Sequence, residues 1–185
     1  MTKNNVVNVL IEIPLGSANK YEYNFTKKRI VLDRVLYGAN FYPGEYGCIE
    51  NTLDWDGDPL DVIALATYPT IPGCEVPVRI LGALKMIDNG DVDTKLFGVF
   101  DNDPNFNHMQ TLDDVPQHIK DKITNFFQQY KQLQKKPVSI GGWKDKDWAL
   151  EELKHCYELY EKYNDILINQ GKDVLLETFR KINNK

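Results

Sequence analysis

The sequence predicts a mainly β fold with flanking α-helices: a closed or nearly closed antiparallel barrel in a single domain, residues 1–185. Three observations predict it. Strand-period alternation fills the first two thirds of the chain, and helical spacing fills the last third. Five or more strands precede the main helices, and closing them into a barrel removes the exposed edges that invite aggregation. The 185 residues suffice for one substantial core and are short for two. Hydrophobic residues at 42% and charged residues at 26% exclude a disordered chain, a collagen-like fibre and a coiled-coil rod.

The elements follow in order. Val7, Val9, Ile11 and Ile13 alternate with Asn8, Leu10 and Glu12, the period of a strand with one buried face, so Glu12 points away from that face. Tyr21, Tyr23 and Phe25 alternate with Lys20, Glu22 and Asn24. From Arg29 to Leu36, Ile30, Leu32, Arg34 and Leu36 share a side, which puts Arg34 into a lined cavity or a buried pair. Val62–Ala66 is a short apolar run suited to a buried strand, and Tyr68 to Gly73 is rich in turn residues. Val78–Ile87 and Lys95–Phe100 make two further strands around a loop with Asn89-Gly90. After Asp114-Val115-Pro116, a proline-led helix entry, Ile119, Ile123, Phe126, Phe127 and Tyr130 form one apolar stripe. Pro137 is expected to end that helix. Leu150, Leu153, Tyr157 and Tyr160 mark a second helix towards Gly171, and Leu175, Phe179 and Ile182 a short third one, so the C-terminus is helical over about 155–185.

The formal net charge of −5 offers no global attraction to nucleic acid or to an anionic membrane. An anionic partner therefore needs a local site. Cys48, Cys74 and Cys156 are odd in number and lack Cys-x-x-Cys spacing, which argues against a disulfide framework or zinc ribbon and for a reducing compartment. The apolar stretch Val6–Ile13 is broken by Asn8 and Glu12 and lacks a cleavage site, and no run reaches the roughly 20 apolar residues of a spanning helix. A cytoplasmic protein is expected.

The chemistry concentrates in Asp54-Trp55-Asp56-Gly57-Asp58-Pro59-Leu60-Asp61. Two unit charges about 4 Å apart repel by roughly 4 kcal/mol at an effective dielectric near 20, so four such carboxylates in a cavity need cations or raised pKa values. A solvated acidic turn is the alternative. Against it, Pro59 stiffens the turn and the buried run from Val62 anchors it to the core. An EF-hand loop counted from Asp54 fails, because Pro59 occupies the glycine position and Leu65 the terminal glutamate position. A second acidic stretch, Asp88-Asn89-Gly90-Asp91-Val92-Asp93, precedes Lys95; if Asp93 opens a strand, Asp93 and Lys95 project to one face. Lys20, Arg34, Lys95 and Lys131, with Tyr42, Tyr46 and Tyr130, recur near these acids. Carboxylates suited to Mg²⁺ beside Lys and Arg suit phosphate held through cations. Gly-x-x-x-x-Gly-Lys and Gly-x-Gly-x-x-Gly loops are absent, and His108, His118 and His155 lack zinc spacing.

With these residues in hand, the sequence resembles the soluble inorganic pyrophosphatases of family I. The likeness rests on Ile11-Glu12-Ile13-Pro14, Lys20-Tyr21-Glu22, Asp33-Arg34, Tyr42-Pro43 with Tyr46-Gly47, the Asp56–Asp61 element, Lys85-Met86-Ile87-Asp88, Asp93-Thr94-Lys95, and Phe126-Phe127 with Tyr130-Lys131. It implies a five-stranded OB-like barrel that hydrolyses pyrophosphate to two phosphates with several Mg²⁺ ions per site, Mn²⁺ being a possible substitute. By matching position, Asp56, Asp61 and Asp93 resemble ligands of a tight metal site, with Asp61 also reaching a second metal. Asp88 and Asp93 resemble ligands of a substrate-associated metal, and Glu12 a partly water-mediated ligand. Asp58 corresponds to the general base acting on a water between two metals. Lys20, Arg34, Tyr46, Lys95, Tyr130 and Lys131 match the phosphate-binding groups, and Glu22 matches a residue that orients them.

Glu45 stands where the family commonly has Asn, Cys48 and Glu50 alter the following segment, Asp91 replaces a usual Glu, and Pro137 a frequent Trp. The segment from about His155 runs past the usual family end. The resemblance implies a homo-oligomer, a hexamer before a dimer. A catalytically silent cation- or phosphate-binding module of the same fold is the alternative, and a nucleoside triphosphatase is a third reading for which no base-stacking pocket is identifiable.

Overall fold

The structure is a computed structural model and describes residues 5–88, 90–136 and 138–183. Five strands form a closed ring: β1 (Val6–Ile13), β4 (Glu45–Cys48), β5 (Asp61–Leu65), β8 (Lys95–Phe100) and β6 (Glu75–Asp88), with β6 pairing back onto β1. The 14-residue β6 makes closure possible, because Glu75–Arg79 pair with β1 and Val78–Leu84 with β8. Its far end pairs with the two-residue β7 (Asp91–Val92) and with β9 (Val138–Lys144).

The ring is not wholly antiparallel as expected. β5 and β8 run parallel, with Asp61 facing Lys95 across the ladder. Parity requires such a pair, since an odd number of strands cannot alternate direction all the way round a closed ring. The membership also differs. The strands around Tyr21 and Arg29, β2 (Asn19–Asn24) and β3 (Arg29–Val35), form a separate two-stranded sheet. The ring instead uses β4, a four-residue segment too short to show a period. β4 lies close against β1: a Cβ on Gly47 would stand 2.0 Å from the Leu10 carbonyl oxygen, so glycine alone fits there.

Both faces of the sheet are buried, which explains the unbroken apolar run of β5. Val62 and Ala64 join Val9, Ile11, Val78 and Ile80 in one cluster, while Ile63 and Leu65 join Phe97, Val99 and Leu84 in another. The single buried face expected of β1 fails at its end. A register shift between Ile11 and Ile13 sends Ile13 to the second cluster and leaves Glu12 at the irregularity.

Helix α1 (Gln117–Gln129) lays Ile123, Phe126 and Phe127 on that second cluster, as the stripe predicts. It ends at Gln129, well before Pro137, which lies outside the described residues with Asn89; a short 3₁₀ turn and β9 follow. β9 escapes the sequence reading because Gly141-Gly142 interrupt its alternation. α2 (Lys146–Gln170) starts at Asp145, whose side chain accepts from the Trp148 N–H at 2.9 Å, and buries Ala149, Leu153 and Cys156 against the first cluster. Gly171 turns the chain into α3 (Lys172–Asn183). A third cluster, Leu53, Leu159, Leu175 and Phe179, joins this helical hairpin to the segment that leads into the aspartate loop.

Candidate active site

The parallel pair dictates where the acids meet. Strands running the same way begin at the same end of the ring, so the loop entering β5 and the turn entering β8 emerge together. A hydrogen bond between them fastens the two, the Thr94 N–H donating to Asp54 Oδ2 at 3.1 Å, while Asp54 Oδ1 accepts from the Trp55 N–H. Asp54 thus ties the loops together and lies outside the cavity.

That end opens on a cavity of about 260 Å³. Asp56, Asp58 and Asp61 line it from the first loop, and Asp88, Asp93 and Lys95 from the second. Glu12 enters from the β1 irregularity, Lys20 and Glu22 from β2, Tyr46 from β4, and Tyr130 and Lys131 from the end of α1. Of the residues matched to the family's site Arg34 alone does not line it, and Tyr42, grouped with them in the sequence, is buried in the core instead. Arg34 lies opposite Lys20 in the β2–β3 ladder and pairs with Asp33, whose carboxylate also sits 3.4 Å from Lys20 Nζ. Tyr21, Tyr23, Phe25, Cys48 and Pro59 complete the lining without having been singled out for the site.

Inside the cavity each ammonium has a carboxylate. Lys95, 2% exposed, pairs with both Asp61 and Asp93, and Lys131 pairs with Asp88. The Tyr46 hydroxyl donates to Asp61 Oδ2 at 2.5 Å. Glu12 Oε1 accepts from the Tyr23 N–H at 2.7 Å, and the Asp58 N–H donates to Asp56 Oδ1 at 3.0 Å. Lys172, from α3, reaches Asp58 Oδ1 at 2.5 Å. No sequence signal marked it, because it stands 114 residues downstream in a segment read only as helix.

The electrostatics are those of an acid cluster short of positive charge. Burial, then Asp93, Asp58 and Asp54, hold the Asp56 carboxyl well above the usual carboxylate range. Burial also pushes up Asp93, against the pull of Lys95, and raises Glu12 to about 8 despite the Tyr23 N–H. Burial opposes the charge on Lys95, yet Asp61 and Asp93 outweigh it and drive the ammonium's pKa well above normal. Asp88 Oδ1 is buried with no hydrogen-bond partner among the described residues, an acceptor left for something else.

The donor set fits hard divalent cations, since it is all oxygen and mostly carboxylate. Another grouping, Asp54, Glu152 and Cys156 within 4.8 Å of one another, fits poorly: both Asp54 oxygens are occupied, and burial pushes the Cys156 thiol far up. The departures at Glu45 and Cys48 leave the acid set intact. Glu45 is buried and accepts from the N–H groups of Leu15 and Thr70, so it joins two loops. The side chain of Asp91 and all of Pro137 lie outside the described residues.

Oxygen ligands for hard cations, with ammonium and phenol groups among them at one end of a five-stranded ring, define a class of protein suited to phosphoryl chemistry. The comparisons with known proteins identify which. The inorganic pyrophosphatase family model matches residues 9–161, and the chain belongs to that family. It is 48% identical over 170 residues to the inorganic pyrophosphatase of Malacoplasma penetrans, covering 90% of this chain and 94% of that one. It is 44% identical over 160 residues to that of Geobacillus stearothermophilus, covering 86% and 97%. The crystal structure of the Thermus thermophilus inorganic pyrophosphatase superposes with a TM-score of 0.83 at 46% identity, over 87% of this chain and 94% of that one.

Proposed function

We propose that this protein hydrolyses inorganic pyrophosphate to two orthophosphates, with Mg²⁺, or Mn²⁺ in its place, as cofactor. The observation that carries this reading is the convergence of two acidic turns with Lys20, Lys95 and Lys131 around one cavity. Asp56, Asp61 and Asp93 are the proposed ligands of the tightest ion, Asp88 and Asp93 serve one that arrives with substrate, and Glu12 serves another. When bound, such ions neutralise phosphoryl oxygens and lower the pKa of water. The unpartnered Oδ1 of Asp88 and the raised pKa of Asp56, pressed by burial and by its carboxylate neighbours, support the assignment.

The chain's own residues do the rest. Lys20, Lys95 and Lys131 supply charge-assisted donors to the polyanion, and Tyr46 and Tyr130 supply hydroxyls. Arg34 belongs to the same set at the rim, acting from beside Lys20, and Glu22, paired with Lys20, orients it. Asp58 accepts the proton of the attacking water as its oxygen bonds to one phosphorus. The bridging P–O bond then breaks, and the second phosphate leaves with the electron pair. With 58% of its side chain exposed, Asp58 stands where solvent can carry that proton away.

A homo-oligomer, hexamer before dimer, belongs to this reading through the family likeness alone. The free cysteines support a reducing, cytoplasmic setting. No helix among the described residues is long and apolar enough to cross a membrane.

Phosphate release from pyrophosphate tests the proposal. Chelation is expected to abolish turnover, Mg²⁺ or Mn²⁺ to restore it, and ATP to be a much poorer substrate. Absence of turnover with every metal, with pyrophosphate still bound in a calorimeter, would contradict it and favour the silent module.

A further inference from the structure

The aspartate loop has two sides. One faces the cavity; the other is held by a part of the chain outside residues 9–161, the segment that the family model matches. Trp55 stacks edge-on against Phe179 of α3 with ring centres 5.0 Å apart, and Leu53 is buried with Leu175 and Phe179. Gly57 takes a left-handed turn, φ +81°, directly under Lys172: a Cβ there would lie 3.2 Å from Lys172 Cε. Lys172 then continues past the turn to Asp58 Oδ1 at 2.5 Å.

Resting on the pyrophosphatase reading, we propose that Lys172 is a positioning residue of this chain's active site, acting through Asp58. Within the loop the Asp54 N–H donates to the Asp58 carbonyl at 2.8 Å and the Asp58 N–H to Asp56, and the pair with Lys172 closes this turn from outside. Its carboxylate is exposed and free to rotate except for Lys172, its one ion-pair partner among the described residues. An ammonium whose stem lies over Gly57, on a helix anchored by Leu175 and Phe179, selects one rotamer of that carboxylate. The C-terminal hairpin thereby takes part in the reaction without touching substrate.

The test uses Lys172→Met and Lys172→Arg in the full chain, each also combined with Asp58→Asn. Lys172→Met is expected to lower kcat about two- to fivefold, the range of an exposed ion pair, with KM for pyrophosphate unchanged. Lys172→Arg restores it, and neither substitution changes kcat further in the Asp58→Asn background. Hydrogen exchange of the Asp54, Gly57 and Asp58 amides in metal-free protein is expected to quicken in Lys172→Met and not in Lys172→Arg. Unchanged kcat and exchange in Lys172→Met would overturn the inference, as would a loss that Arg does not rescue or that persists in the Asp58→Asn background. Wild-type protein without pyrophosphate turnover would overturn the functional reading instead, and the exchange measurement would still decide whether Lys172 holds the loop.

Discussion

Asp58→Asn is expected to lower kcat for pyrophosphate by about 10²-fold or more, the range of a general base, while the protein still folds and binds its metals. Asn has nearly the shape of Asp, and the contacts that fix the loop backbone survive: the residue 58 N–H still meets Asp56, and its carbonyl still accepts from Asp54. What disappears is the basicity of the carboxylate, since an amide oxygen is far too weak a base to take the proton. The pair with Lys172 is lost too, but with side chains 58% and 42% exposed it contributes at most about 1 kcal/mol. Steady-state kinetics at saturating Mg²⁺ beside a thermal melt checks both halves. A kcat within a factor of about three of wild type would remove Asp58 from the mechanism.

Lys95→Met has the larger expected effect on stability. The Lys95 ammonium is almost wholly buried and serves Asp61 and Asp93 at once, with the Tyr46 ring 5.7 Å away. Removing one partner from a buried charge pair costs about 3–5 kcal/mol, because the other charge stays behind without compensation. Here two carboxylates stay behind, beside an Asp56 already pressed by its neighbours. Denaturant unfolding in EDTA should show the loss in full, and Mg²⁺ should recover part of it, since an ion that binds only the folded site stabilises by mass action. Equal midpoints for variant and wild type in EDTA would mean that Lys95 does not carry the charge balance of the site. Activity falls as well on this account, because Lys95 is a phosphate ligand in it.

Why some of this was legible in the sequence and some was not has physical reasons. Asp56, Asp58 and Asp61 stand close along the chain, and a stiff turn before a buried strand places them together. Asp93 and Lys95 stand two apart, and the pair forms as that spacing suggests. The stripe of α1, the alternation of β1 and the apolar stretches of β6 and β8 are local patterns and were readable. The convergence of the two turns came from the family resemblance and from no local pattern. It depends on β5 and β8 lying side by side and parallel, a long-range pairing that parity demands only once the strand count of the ring is known. β4 and β9 were hidden by shortness and by glycine. Glu12 reached the cavity through a register shift rather than by simple alternation. Arg34 was placed on a lined face by its period, yet in the structure its guanidinium is held on Asp33 and does not line the cavity. Lys172 met its partner across a helical hairpin, and a lone surface lysine carries no pattern.

The central claim is that carboxylates from the loops entering two parallel strands share divalent cations. Diffraction from crystals soaked in Mn²⁺, collected for the anomalous signal of that ion, tests it most directly. The account predicts a strong peak among the oxygens of Asp56, Asp61 and Asp93, at about 2–2.5 Å from each coordinating atom, and a further one beside Asp88. Peaks only at other acidic surfaces, with this cavity vacant at saturating Mn²⁺, would contradict it.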